Sequence, residues 1–357
     1  MTLSTALAGG LFDTPAPDSD DHLADLRALV ADLGTRSAAD DLSHGHRPAV
    51  FDHRLWEGLE ATGLTRLTTS GDAGPAEVAV VLYGLARRCA AVPLAETDLL
   101  AGWLAQRAGC AVPATGPLTV AVGTIDSAEH TGWAPEVPWA GDAVVVVLAR
   151  IGDEFRVGAL DEIRIDDAFD LAGEPRPSVH FRVPAHRLHT VTEHTFAELQ
   201  CRGAWARCMQ MMGALDEIAA LTVSHTGSRK QFGRPLSGFQ SVQHAAATMA
   251  GHIERARAVA ALAVAAATEY GFDAAKTAHV VAVTKTVLGR AGAEVSSIAH
   301  QLHGALGVTA EYPLWRYTTR LQSWSAEFGT TTEHSRRLGR AVLAAADPWD
   351  LVIGTET

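Results

Sequence analysis

Residues 228–240 are Ser-Arg-Lys-Gln-Phe-Gly-Arg-Pro-Leu-Ser-Gly-Phe-Gln, and they separate two long segments with helical periodicity. Phe232 and Gly233 interrupt the first helix, and Pro235 prevents it from resuming at once. Arg229 beside the helix end is suited to hold a diphosphate, because a guanidinium donates several hydrogen bonds to phosphate oxygens. From spacing alone, the alternative is an ordinary helix-turn-helix with solvated basic residues.

Residues 301–313, Gln-Leu-His-Gly-Ala-Leu-Gly-Val-Thr-Ala-Glu-Tyr-Pro, form a second informative stretch. Glycines at 304 and 307 allow a backbone to approach a cofactor closely, and Gln301 and His303 are neighbouring hydrogen-bonding groups. A glycine-rich helix end is also a common C-cap. This stretch alone therefore leaves both interpretations open.

Composition and hydrophobic periodicity divide the chain into an N-terminal segment at 1–20, expected to be mobile, and three folded regions. Helical spacing predicts an α-domain at 21–114, and short β-type runs predict a small central β-domain at 115–193. Ala-rich helical periodicity predicts an antiparallel four-helix bundle at 194–357. The predicted fold class is thus α+β and multidomain.

Individual elements follow from the same periodicities. The strand runs are LTVAVG at 118–123, AVVVVLA at 143–149, FRVGAL at 155–160 and IRIDD at 163–167. The bundle helices are expected at about 204–226, 239–270, 273–306 and 329–346.

Composition excludes several classes of function. The 357 residues carry a formal net charge of −12, without a Lys/Arg cluster, which argues against a nucleic-acid partner. The longest apolar stretches, at 143–149 and 258–267, are too short for a membrane span. We expect no signal peptide, because no basic residue precedes the weak apolar patch at the N-terminus. The four cysteines lack the spacing of a disulfide framework or zinc site, so we expect reduced thiols and a cytoplasmic protein. The histidines have no other metal-binding residues at a suitable spacing, so we expect no metal site.

Together, RKQFGRPLSGFQ and QLHGALGVTAEYP resemble two signatures of the acyl-CoA dehydrogenase family, R-x-x-F-G-x-x-(I/L)-x-x-F-Q and Q-x-x-G-G-x-G-x-x-x-E-Y-P. FDHRLWEGLEATGL at 51–64 and HFRVPAHRL at 180–188 are similar to further family segments, so the resemblance covers essentially the whole chain. It implies an α-domain, a β-domain and a four-helix bundle, with FAD as cofactor. In that family a glutamate removes the α-proton of an acyl-CoA thioester while a hydride leaves the β-carbon for flavin N5.

The flavin of the family lies across a subunit interface, and the resemblance assigns FAD-binding roles to twelve residues. They are Arg229, Lys230, Gln231, Phe232, Phe239, Gln240, Gln301, Leu302, His303, Gly304, Ala305 and Thr330.

The sequence departs from the family at the catalytic base. Phe328 occupies the position of the usual glutamate in a Glu-Gly-Thr motif, and a phenyl ring cannot accept a proton. Glu327 is adjacent, but a one-residue shift on a helix turns a side chain through roughly 100°. Some relatives carry the glutamate on the preceding helix, at a stretch matching 202–204, where Glu198 is the nearest carboxylate. We therefore assign no catalytic residue, and we keep Glu327 as a candidate for the base.

The β-domain lacks two further family features, the T-E-x-x-x-G-S-D loop and the W-I-T strand that cover the flavin ring. Trp133 and Trp139 in the substituting segment are interpreted as core or interface aromatics. The missing features are those that a subunit gives to its own flavin, whereas the retained ones face the flavin of a neighbour.

This pattern predicts a subunit that is active only with a full-length acyl-CoA dehydrogenase partner, in an α2β2 assembly. The expected substrate is an acyl-CoA thioester, and steroid-derived acyl-CoAs are among the candidates. One alternative is a self-sufficient homo-oligomeric dehydrogenase with a displaced base, Glu327 or Glu198. A second is a flavin-free helical scaffold or acyl-binding protein.

Overall fold

The structure is a computed structural model that describes residues 12, 22–35, 48–126 and 130–353. Most of the segment expected to be mobile, 1–20, lies outside these residues. Phe12 is described, and its ring is buried with its centroid 5.2 Å from that of Tyr83.

The N-terminal region is a layer of short helices around one buried helix. Asp52 begins the second helix by accepting a hydrogen bond from the Leu55 N–H at 3.0 Å. Pro75 begins the fourth, which is buried along almost its whole length and so forms the centre of the layer. The bounds are α1 His22–Thr35, α2 His53–Ala61, α3 Leu67–Ser70, α4 Pro75–Ala86 and α5 Trp103–Ala108, with a π-helical segment at Glu96–Gly102.

A seven-stranded sheet follows, in the order β5-β6-β2-β1-β3-β4-β7. β1 and β3 are parallel, with Leu118 opposite Val144, and the other pairs are antiparallel. Alternate residues of β3 lie in two cores, Val146 against the helices and Val147 on the other face, as the period of two requires. The bounds are β1 Leu118–Ile125, β2 Thr131–Ala134, β3 Val144–Ile151, β4 Glu154–Ala159, β5 Ile163–Asp166, β6 Ser178–Arg182 and β7 His189–Val191.

The sheet contains three strands beyond the four that periodicity predicts, namely β2, β6 and β7, and β6 overlaps the stretch HFRVPAHRL that resembles a strand of the family. Each is five residues or shorter, and β7 has only three. Strands this short show little alternation in sequence, so tertiary pairing decides them. Trp139 is buried, as expected for a core aromatic, whereas Trp133 is 45% exposed.

The C-terminal region is a helical bundle whose first helix, α6, runs from Glu193 to Ser228. The Trp205 indole is buried within it and donates to the Ala263 carbonyl at 3.1 Å. Alanines on the following helix allow close packing, because a methyl group takes little room between two helix axes. The bounds are α7 Gln240–Tyr270, α8 Ala275–His303, α9 Leu314–Ala326, α10 Thr331–Ala344 and α11 Pro348–Ile353, with a short hairpin between β8 Lys230–Gln231 and β9 Arg234–Pro235.

The bundle differs from the prediction at two places. α6 begins at Glu193 instead of about residue 204, because the Thr192 hydroxyl accepts from the Thr195 N–H and caps the helix earlier. α9 lies in a segment that was not predicted as helix. Its aromatic and Thr residues have modest helix propensity, and burial of one face stabilises it. None of the helices in the described ranges has the length and apolar character needed to cross a membrane.

Candidate cofactor site

The first motif forms a projecting hairpin where α6 ends. β8 and β9 pair through Lys230 and Gln231 with Pro235 and Arg234. Phe232 and Gly233 form the tip with φ of 50° and 79°, a left-handed conformation that is strained for Phe but not for Gly. The Phe232 side chain is 92% exposed. The hairpin thus presents an apolar ring to its surroundings.

Phe239 supports the base of this hairpin. The Arg234 guanidinium lies 4.0 Å from the centre of the Phe239 ring, and the Phe232 ring lies edge-on at 6.3 Å. Phe239 is therefore held by the hairpin, next to the start of α7.

The second motif forms the end of α8. Gly304 leaves the helix with φ of 60°, and a Cβ built on it would meet nothing within 4 Å. The backbone is accordingly accessible at this point. His303, one residue earlier, is buried, and its Nδ1 lies 2.7 Å from the Ala299 carbonyl oxygen.

These two motifs meet in one cavity of about 570 Å³. Seven of the twelve residues assigned to FAD binding line it. They are Arg229, Gln231, Gln301, Leu302, His303, Gly304 and Ala305.

The remaining five assigned residues do not line this cavity. Lys230, Phe232, Phe239 and Gln240 belong to the hairpin and the start of α7. Thr330 is the N-cap of α10 and forms a capping box with Glu333, so the structure gives it a local helix-capping role.

His225 also lines the cavity and was not singled out from the sequence. It lies four residues before Arg229, the residue that follows the last turn of α6, and this short spacing is the signal that would have revealed it. The pKa of His225 is lowered by burial and by the nearby Arg229 charge, and burial also lowers the pKa of His303. Neutral imidazoles leave Arg229 as the cation of the lining, so the cavity favours an anion.

The position of the usual base is filled by an apolar contact. The Phe328 ring lies against Gly203 of α6, and a Cβ on that glycine would overlap the ring. The Arg207 guanidinium lies 5.8 Å from the ring centre. Both family positions for the base, at 328 and near 203, thus lie together in this chain, and neither holds a carboxylate.

Glu327, the candidate displaced base, lies in ion pairs. Its carboxylate accepts from Arg207 Nε at 2.8 Å and from Arg176 Nη2 at 3.1 Å. The two guanidinium groups outweigh the effect of partial burial and lower the pKa of Glu327 to about 2. Glu198, the other candidate, pairs with Arg202 at 2.8 Å.

Glu327 belongs to a larger buried ion-pair network that connects all three regions. Arg207 of α6 also binds Glu96 of the π-helical segment. Arg176 and Glu174 come from the loop between β5 and β6, and Glu174 also binds Arg320 of α9 at 3.0 Å. We use the name buried ion-pair network for Glu96, Asp170, Glu174, Arg176, Arg207, Arg320 and Glu327.

The residues that line the cavity fit the diphosphate of FAD better than its flavin ring. Arg229, two glutamines and the open backbone at Gly304 supply the hydrogen-bond donors that a diphosphate requires. The place of the base instead holds Phe328 and the buried ion-pair network. In the described parts of the chain, no group of three or more His, Cys, Asp or Glu side chains is arranged to hold a metal ion.

Comparison with known proteins agrees with the motifs. Residues 200–343 match the model of the acyl-CoA dehydrogenase C-terminal domain. The chain is 34% identical over 170 residues to probable acyl-CoA dehydrogenase FadE2 of Mycobacterium tuberculosis, a match covering 46% of this chain and 40% of that protein. It is 27% identical over 332 residues to acyl-CoA dehydrogenase IpdE2 of Mycolicibacterium smegmatis, covering 88% of this chain and 96% of that protein.

Among solved structures, a chain of the ChsE4-ChsE5 complex from Mycobacterium tuberculosis superposes with a TM-score of 0.79 at 20% identity, covering 94% of this chain and 100% of that one. The expected fold is therefore confirmed. The chain has the fold of the acyl-CoA dehydrogenases, a family of FAD enzymes, and its residues 200–343 match the model of their C-terminal domain.

Proposed function

We propose that this chain is a non-catalytic subunit of a heteromeric FAD-dependent acyl-CoA dehydrogenase. It contributes the diphosphate-binding half of a FAD site, and a full-length partner chain contributes the base and the flavin-ring pocket. The observation that carries the proposal is the cavity at the hairpin and the end of α8, where seven assigned residues converge while Phe328 replaces the base.

In such an assembly, FAD supplies the acceptor for the hydride that leaves the β-carbon of the acyl-CoA. The residues of this chain bind and orient. Arg229 neutralises phosphate charge, Gln231 and Gln301 donate further hydrogen bonds, and Gly304 allows the backbone to approach the cofactor. Phe328 neither takes nor gives a proton.

The heteromeric form is supported by a structural neighbour, the ChsE4-ChsE5 complex, whose name pairs two components. We infer an α2β2 assembly by this analogy. A second structural neighbour, the Tcur3481-Tcur3483 steroid ACAD, superposes with a TM-score of 0.76 at 21% identity, covering 90% of this chain and 97% of that one, and supports a steroid-derived acyl-CoA as the substrate class. The four cysteines are free, which agrees with a reducing, cytoplasmic compartment.

The displaced-base alternative is weakened by the environment of its candidates. A general base works best with a pKa near the working pH, whereas arginines hold Glu327 at about 2. The flavin-free scaffold is weakened by the cavity, since a scaffold has no need to bring Arg229, Gln301 and Gly304 together.

The test is FAD affinity of the complex reconstituted with its partner chain. Arg229→Gln should weaken FAD binding about tenfold or more, because a charged hydrogen bond to phosphate contributes about 1.5–3 kcal/mol. Arg290→Gln, at an exposed arginine of α8, is the matched control and should leave affinity unchanged. Equal FAD affinity of the Arg229→Gln and wild-type complexes would contradict the proposal.

A further inference from the structure

His225 and His303 form a stacked pair at the inner end of the cavity. Their ring centroids are 4.5 Å apart with 21° between the planes, and the Tyr312 ring lies 6.1 Å from His225 at a steep angle. His225 comes from the last turns of α6, and His303 ends α8. The pair therefore joins the two elements that carry the motifs.

The hydrogen bonds of His303 fix its tautomer. Its Nδ1 faces the Ala299 carbonyl oxygen at 2.7 Å, and a carbonyl only accepts, so Nδ1 carries the hydrogen. Its Nε2 lies 3.1 Å from the Tyr312 hydroxyl and accepts from it in competition with the Leu221 carbonyl oxygen, which lies 3.4 Å from the same hydroxyl. Both nitrogens of His303 are thus satisfied, and the ring serves as a neutral surface for its neighbour.

His225 has the opposite character. Its ring lines the cavity, but within the described parts of the chain neither of its ring nitrogens has a hydrogen-bond partner. The cation of the lining is Arg229, which follows the last residue of α6. A ring with two unpaired nitrogens, held in place by stacking beside an arginine, is arranged to bind an anionic ligand.

We propose that His225 is a further binding residue of this cavity and donates a hydrogen bond to a phosphate oxygen of the nucleoside diphosphate that Arg229 holds. The inference rests on the proposed function and extends it to a residue outside both family motifs.

The role makes binding depend on pH. The titratable groups around His225 are Arg229 on its own element, His300 and His303 at the end of α8, and Tyr312 beyond it. Without ligand, burial and Arg229 keep the pKa of His225 below 6.5. A bound diphosphate is an opposite charge and raises that pKa, so the ligand binds together with a proton. Affinity consequently increases as the pH falls through the bound-state pKa and is independent of pH well above it.

The test uses the complex reconstituted with its partner chain and freed of FAD, with the histidines of this chain labelled at ¹³Cε1, titrated with pH in the presence and absence of ADP. The His225→Gln variant identifies the His225 signal, and His252→Gln, on α7 outside the cavity lining, is the matched control. ADP should raise the pKa of His225, and His225→Gln should weaken ADP binding several-fold at pH 6 but little at pH 8. The His252→Gln variant should bind ADP as wild type does.

Two contrary results are distinguishable. If ADP shifts the His303 signal and Arg229→Gln abolishes that shift, while the His225 pKa stays constant, the role of His225 is refuted and the proposed function stands. A concentration of about 10 mM ADP is high enough to reveal weak, millimolar binding. If it shifts the signal of no histidine in the cavity, both the role of His225 and the proposed function are refuted.

Discussion

Glu327 and Phe328 are adjacent in the chain but lie in opposite environments. Glu327 faces Arg176 and Arg207, which keep its carboxylate ionised. Phe328 has a positive φ of 53° and turns its ring onto Gly203. Two adjacent residues thus differ completely in their contacts: Glu327 lies in a buried ion pair and Phe328 in an apolar contact. Neither residue offers a base to a substrate.

Replacing Glu327 with Gln should destabilise the chain by about 2–3 kcal/mol, because Arg207 and Arg176 each lose one carboxylate partner and keep only Glu96, or Glu174 and Asp170. Chemical denaturation at pH 7 measures this. Glu57→Gln, at an exposed glutamate of α2, is the control and should change the free energy of unfolding by less than about 0.5 kcal/mol. The same variant of the reconstituted complex should keep its turnover, and a complete loss of turnover in a folded complex would support Glu327 as the base.

The contribution of Glu327 should also depend on pH. Its folded pKa of about 2 lies below the ordinary value of 4.5, so its stabilising effect is fully present above pH 4.5. Protonation removes the effect as the pH falls from 4.5 towards 2. The difference in unfolding free energy between wild type and Glu327→Gln should shrink over this interval, and a difference that grows there would refute the assigned ionisation.

Gly203 provides a test of the Phe328 contact. Gly203→Ala should destabilise the chain by about 1–3 kcal/mol, because the new methyl overlaps the phenyl ring. In a double-mutant cycle, Phe328→Ala should relieve this cost, so that the two changes are not additive. Additive effects in thermal or chemical denaturation would show that the residues do not touch.

At the scale of elements, the hairpin between α6 and α7 is the most exposed part of the candidate site. Its tip places a phenyl ring almost wholly in solvent, whereas folded chains usually cover large apolar groups. In the proposed assembly this ring is covered by the partner and its flavin.

Phe232→Ser should therefore leave the unfolding free energy of the isolated chain within about 0.5 kcal/mol of wild type, because no buried surface is lost. The same change should weaken association with the partner about tenfold, as measured by analytical ultracentrifugation or calorimetry. Val223→Ser, which also removes an exposed apolar side chain, is the control for general surface effects. Unchanged association of Phe232→Ser would contradict a role for the hairpin at the interface.

The elements also mark the limits of prediction from sequence. Long Ala-rich helices and the two motifs were predictable, since glycines, proline and arginine occur there at informative spacings. α9, β2, β6 and β7 were not predicted from periodicity because packing, not local pattern, stabilises them. The stacking of His225 on His303 was not predictable, because it depends on two helices distant in sequence.

At the scale of the whole molecule, the buried ion-pair network was equally inaccessible to sequence reasoning. Glu96, Glu174 and Arg207 are far apart in the chain and, taken singly, are typical of solvated residues. In the fold they connect the helical layer, the sheet and the bundle beside Phe328. The network stabilises one arrangement of the three regions. It lies at the position where a dehydrogenase would place its base.

The most direct test is the flavin content of the chain purified alone and with its partner acyl-CoA dehydrogenase chain. The account predicts no bound FAD and no dehydrogenase activity for the chain alone, and one FAD per pair of different chains, with activity, for the complex. Stoichiometric FAD and acyl-CoA dehydrogenase activity in the chain alone would contradict it.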